Sequence, residues 1–116
     1  MPWMRTYCSI CLYHQELVTE EWVRARYESA NNPAHIAAKK NSARAQRDLL
    51  AESGRIKCPV LVTKGRDDRL GPIDHQLRLL WSIPNVRLVI FGESGHWSHL
   101  DQPDDFAKIV MAFLDE

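Results

Sequence analysis

Apolar residues follow two different rhythms along this chain. In residues 19–54 and again near the C-terminus they recur at helical spacing, three and four apart. Between those regions lie two short apolar runs, Val60-Leu61-Val62 and Val86 to Phe91. Continuous apolarity of that length suits a parallel strand covered on both faces. Thr19-Glu20-Glu21 supplies a capping hydroxyl and first-turn acids, so a helix is expected to Ala30, with Trp22, Val23, Arg26 and Tyr27 at helical spacing and Asn31-Asn32-Pro33 as its stop. A second helical pattern covers Ala34 to Ala51 and ends at Gly54. Pro72 and Asp74 open a helix with Leu77, Leu80 and Trp81 facing inward. Asp101-Gln102-Pro103-Asp104-Asp105 starts a last one, with Phe106, Ile109, Val110, Phe113 and Leu114 as its apolar stripe. Residues 1–17 are mixed, with Trp3, Tyr7, Ile10, Leu12, Tyr13 and Leu17 as candidate core. The order is helix–helix, then strand–helix–strand–helix, which predicts an α/β chain with a parallel pair of strands.

Each apolar run ends in a glycine-containing turn. Gly65-Arg66-Asp67-Asp68 delivers an acid and Gly95-His96-Trp97 a histidine. Equivalent ends of parallel strands lie side by side. Asp68 and His96 are therefore expected to meet, the carboxylate orienting the imidazole and stabilising its protonated form.

Composition narrows the partners. The 116 residues suffice for one domain, and 15 basic residues balance 15 acidic ones. Neutrality gives no electrostatic case for nucleic acid or an anionic membrane. The basic cluster Lys39, Lys40, Arg44 and Arg47 reads as a solvated helix face, because no recognition motif is interleaved with it. No stretch has the length of a transmembrane helix, and the first residues do not resemble a signal peptide. Three cysteines suit a reducing cytoplasm. Cys8-Ser9-Ile10-Cys11 with His14 could suggest a metal or redox site. Zinc needs about four ligands and no second pair follows, so two small apolar residues on a helix is the reading preferred.

Gly65-Arg66-Asp67-Asp68-Arg69, Pro72-Ile73-Asp74-His75, Leu79-Leu80-Trp81 and Gly95-His96-Trp97, together with Leu12-Tyr13 and Leu17-Val18-Thr19-Glu20-Glu21, carry a resemblance. Over nearly its whole length the chain resembles the C-terminal part of an α/β-hydrolase fold enzyme. It is most similar to the meta-cleavage product hydrolases, which cut a carbon–carbon bond in 2-hydroxy-6-oxo-hexa-2,4-dienoates. The resemblance implies a helical lid segment over residues 1–55 and the last two parallel strands of the core, with their helices, over 56–116. It implies Asp68 as triad acid, with Asp67 the competitor, and His96 as triad base. It also implies Arg26 and Trp97 as substrate-binding residues, and neither metal nor cofactor. Leu70-Gly71 and Ser94 depart from the bulkier residues or cysteine that relatives often carry there.

A triad also needs a nucleophile, supplied in this fold by Ser in G-x-S-x-G at a strand-to-helix elbow. Gly92-Glu93-Ser94-Gly95 only mimics that motif, and no other serine in these residues sits in one. The oxyanion-hole segment and the first core strands are expected to be missing as well. Weak or no hydrolysis by the chain alone is the expectation, with an exposed apolar strand edge and a need for the missing N-terminal half or for self-association. The alternatives are a serine esterase of the same fold, or a remnant that only binds or oligomerises.

Overall fold

The computed structural model describes residues 1–41 and 48–116. Helix α1 (Pro2–Cys11) begins at a proline, whose missing N–H would have no intrahelical partner there. A 3-10 turn (Gln15–Leu17) leads to α2 (Glu20–Ala30), capped by the Thr19 hydroxyl, which accepts from Trp22 N–H at 3.2 Å. Then come α3 (Pro33–Asn41), α4 (Leu49–Glu52), a 3-10 turn (Ser53–Arg55), β1 (Val60–Gly65), α5 (Asp74–Ser82), β2 (Val86–Phe91), α6 (Ser98–Asp101) and α7 (Pro103–Leu114). The two strands pair in parallel from Val60↔Val86 to Gly65↔Phe91, with α5 as the crossover. Their ends are level, so the loops after Gly65 and Phe91 emerge together.

The core beside those loops is built by α1 and α2. Met4 and Cys8 on the first, and Leu12 just after it, meet Val18 and Val23, and Trp22, Tyr27, Trp97 and Leu100 pack around them. Leu12 is the one buried member of the core expected in residues 1–17. Trp3, Tyr7, Tyr13 and Leu17 are exposed and Ile10 is half-buried. The inward stripe of α1 instead runs through Met4, Cys8 and Cys11, at spacings of four and three. Cys8 and Cys11 are packed as small apolar side chains, and burial pushes both thiols up.

Two further expectations are corrected. The continuous helix over 34–51 does not hold, because Asp48 takes a non-helical conformation and starts a new turn by accepting from Leu50 and Ala51 N–H. Ala43, Arg44 and Arg47 of that expected helix lie outside the described residues. Trp81 does not face inward. It is 88% exposed, and Leu77 and Leu80 are exposed as well, while Leu79 is half-buried and Ile83, just past the end of α5, is buried. Val60, Leu61 and Val62 are half-buried, in a sheet that has two strands among the described residues. On α7, Phe106, Ile109, Val110 and Phe113 are half-buried, while Leu114 is exposed.

Candidate active site

The two strand-end loops are bound to each other before any side chain is considered. Arg66 N–H donates to Phe91 O at 2.8 Å, and Asp67 N–H donates to Ser94 O at 2.9 Å. A Cβ on Gly65 would stand 1.9 Å from Gly95 O, so glycine is required for the backbones to approach this closely. The second loop reverses direction at Glu93, whose φ of 50° is left-handed. Gln102 Nε2 steadies that turn by donating to Gly92 O and Glu93 O, each at 3.2 Å.

This frame brings Asp68 to His96, with Nδ1 of the imidazole 3.0 Å from Oδ2 of the carboxylate. The Asp68 side chain is 4% exposed, whereas the His96 side chain is open to solvent on one side. Asp68 Oδ1 accepts from Leu70 N–H at 2.8 Å. Burial pushes the Asp68 carboxyl up, but hydrogen bonds from Lys64, His96 and Leu70 N–H outweigh it and hold the group at about 2. Asp67, the competitor, turns away to Arg66, with Oδ2 3.1 Å from the guanidinium. With Nδ1 engaged by Asp68, Nε2 is the ring nitrogen left for proton transfer.

Trp97 lies against the core, edge-on to Tyr7 (5.8 Å between centroids) and to Trp22 (5.4 Å). Arg26 reaches from α2 over its indole, the guanidinium carbon 5.0 Å from the ring centroid. The structure thus joins the four expected site residues in two contacting pairs, Asp68 with His96 and Arg26 with Trp97, linked through the adjacent rings of His96 and Trp97.

Ser94 is fully buried, and among the described residues its hydroxyl has no hydrogen-bond partner. Its carbonyl holds the loop by accepting from Asp67 N–H. Among the described residues, no group of three or more His, Cys, Asp or Glu is placed to hold a metal ion, and no helix is long and apolar enough to cross a membrane.

Sequence reasoning missed three positions. Asp101, read as part of a helix start, is the buried last residue of α6. Its carboxylate accepts from Gly95 N–H at 2.8 Å, Tyr13 N–H at 3.0 Å and His14 N–H at 3.0 Å. Cys11 contributes its carbonyl, which accepts from His96 N–H at 2.7 Å. Lys64, at the end of β1, is buried and bonded to Asp68. A charged residue inside an apolar strand, four before an acid, was the available signal for Lys64. No sequence signal marks the carbonyl.

Comparison with known proteins identifies the fold family. The model of the alpha/beta hydrolase fold family matches residues 6–103. The chain is 38% identical to a 2-hydroxy-6-oxo-6-phenylhexa-2,4-dienoate hydrolase of Comamonas testosteroni, over 96% of this chain and 41% of that protein. It is 35% identical to a 2-hydroxy-6-oxononadienedioate/2-hydroxy-6-oxononatrienedioate hydrolase of the same species, over 91% and 39%. Among solved structures it superposes on the meta-cleavage product hydrolase CumD from Pseudomonas fluorescens IP01, with a TM-score of 0.81 and 28% identity, over 97% of this chain and 44% of that one. The chain therefore spans about two-fifths of the length of the curated relatives it matches.

Proposed function

Because this chain belongs to the α/β-hydrolase fold family, we propose that it carries the acid–base half of a hydrolase that cleaves a carbon–carbon bond in 2-hydroxy-6-oxo-hexa-2,4-dienoate-type compounds. The observation that carries the reading is the 3.0 Å contact between His96 Nδ1 and a buried Asp68 oxygen at the ends of two adjacent parallel strands. A carboxylate there fixes the ring's tautomer and stabilises the imidazolium that forms when Nε2 takes a proton. Residues 1–55 act as a lid segment and 56–116 as the end of the core. Arg26, held over Trp97, anchors the carboxylate end of the dienol acid by charge-assisted hydrogen bonds. His96 assists ketonisation of the dienol by moving one proton, then activates a serine hydroxyl for attack on the new ketone. Water completes the cleavage.

The serine comes from a segment outside these 116 residues. Ser94 is unsuited to the role, and among the described residues the His96 ring has Asp68 as its hydrogen-bond partner. The comparisons support this through length, since the relatives are more than twice as long as the region they share with the chain.

The test is complementation. The chain is refolded with a separately produced segment corresponding to the part of a relative that precedes the shared region, and loss of the coloured dienoate is followed. Turnover in the complex, absent from either piece alone, is expected. A stable one-to-one complex without turnover would overturn the proposal. Turnover of simple esters but not of the dienoate would favour an esterase of the same fold.

A further inference from the structure

We infer that Lys64 is a positioning residue for the Asp68–His96 pair, holding the shared carboxylate oxygen in place and offsetting the negative charge that favours a proton on the ring. Lys64 Nζ donates to Asp68 Oδ2, the same oxygen that faces His96 Nδ1. It also donates to Gly71 O at 2.7 Å, which fixes the ammonium independently of the acid. The two charged side chains are 6% and 4% exposed, so water screens neither well. Asp68 is held at three points: Lys64 and His96 on one oxygen, Leu70 N–H on the other.

In the usual triad the histidine stands beside an unopposed carboxylate, whose full charge stabilises the imidazolium. Here the ring faces a lysine–carboxylate pair with no net charge. The pair still orients the ring through the hydrogen bond, but it attracts the ring's proton less strongly than a bare carboxylate.

Other titratable groups surround the ring. His99 on α6 lines the same cavity of about 200 Å³, with Gln76 of α5 as a neutral wall. Asp101 is bonded to Gly95 N–H. Arg26 of α2 lies over Trp97, and α1 presents Cys11, near Asp68, and Tyr7, against Trp97. Among these described groups, Lys64 is the cation bonded to the oxygen that His96 uses.

The inference rests on reading Asp68 and His96 as the acid–base pair, but its test reads proton uptake rather than turnover and so fails separately from that reading. The assigned ring resonances of His96 are followed through a pH titration of the 116-residue chain, with His99→Gln as background. In Lys64→Gln the midpoint is expected to move up by about 1 pH unit, and in Lys64→Arg, which keeps the charge, to stay at the wild-type value. In Lys64→Gln/Asp68→Asn both charges are gone, and the midpoint is expected to return to within about 0.3 pH units of wild type. That double variant leaves no unpaired buried charge, so it carries the test alone if Lys64→Gln does not fold. An unmoved midpoint in folded Lys64→Gln would overturn the inference. So would a fall of a full unit in the double variant, because that is the result for a carboxylate the lysine never offset.

Discussion

Asp68 accepts at both of its oxygens, and the bonds it makes are weakened or lost if it is protonated or replaced. Its carboxyl is held at about 2, below the free value of 3.8. A depressed acid contributes stability that is fully present above the unfolded value and is lost as pH falls from about 4 toward 2. The size follows from the shift, about 2 kcal/mol for a side chain this well buried. Urea unfolding at a series of pH values is expected to show that loss, with a flatter slope for Asp68→Asn. At neutral pH the same variant should be less stable by about 3 kcal/mol, because Lys64 is left as a buried charge without its partner. For chemistry the prediction concerns the complemented enzyme. His96→Ala is expected to lower kcat by about 10³-fold, while Arg26→Ala should lower kcat/KM by about 10- to 100-fold, mostly through KM. Steady-state kinetics on the dienoate checks both. An Arg26 variant with unchanged KM would mean that its contact with Trp97 is packing and no more.

The elements that matter most for the site are its two loops and the end of α1. Asp101 draws Tyr13, His14 and Gly95 N–H onto one carboxylate, and Cys11 O receives His96 N–H. Hydrogen bonds to a charged group contribute about 1.5–3 kcal/mol each, net of exchange with water. Asp101→Ala should therefore destabilise the chain by about 3 kcal/mol and speed hydrogen exchange at those three amides above all others. Gly95→Ala sets a Cβ 2.5 Å from Cys11 O and 3.1 Å from Tyr13 N. Because both neighbours are backbone, the loop must move off α1, and a loss of about 3 kcal/mol is expected in thermal or urea unfolding. The same elements show where a sequence can be read. The strands and their level ends were legible because apolar runs closed by glycine turns leave few other arrangements, and the meeting of Asp68 with His96 follows from that register. The inward face of α1 was not. Aromatic and aliphatic residues are spread around that helix, and its neighbours select Met4 and Cys8, against α2, and Cys11, beside the Gly95–His96 loop. Asp101 was illegible for another reason: a side chain that binds distant backbone amides leaves no periodic trace.

For the molecule as a whole, the question is what covers its apolar surface. The radius of gyration is 16.6 Å, against about 13 Å for a compact domain of this length. A two-stranded sheet is too small to hide both faces of β1 and β2. Leu49 on α4, Trp81 on α5, Ile90 on β2 and Met111 and Leu114 on α7 are all exposed. Trp81 illustrates why helical spacing misled: the stripe is amphipathic as expected, but among the described residues the side it marks as inward is left exposed. Such surfaces are expected either to pair with further copies or to be covered by the segment that supplies the serine. The two outcomes separate by mass. Alone, the chain should sediment as a concentration-dependent mixture heavier than 13.4 kDa. With the complementing segment in excess it should collapse to one species of one-to-one mass, as the partner competes for the same faces. Self-association that survives saturation with the segment would show that the copies meet elsewhere and would favour a purely oligomerising role. A monomer that stays soluble alone at high concentration, with a scattering radius near 13 Å, would mean that the exposed apolar faces close on themselves, and that no second half is needed to complete the fold.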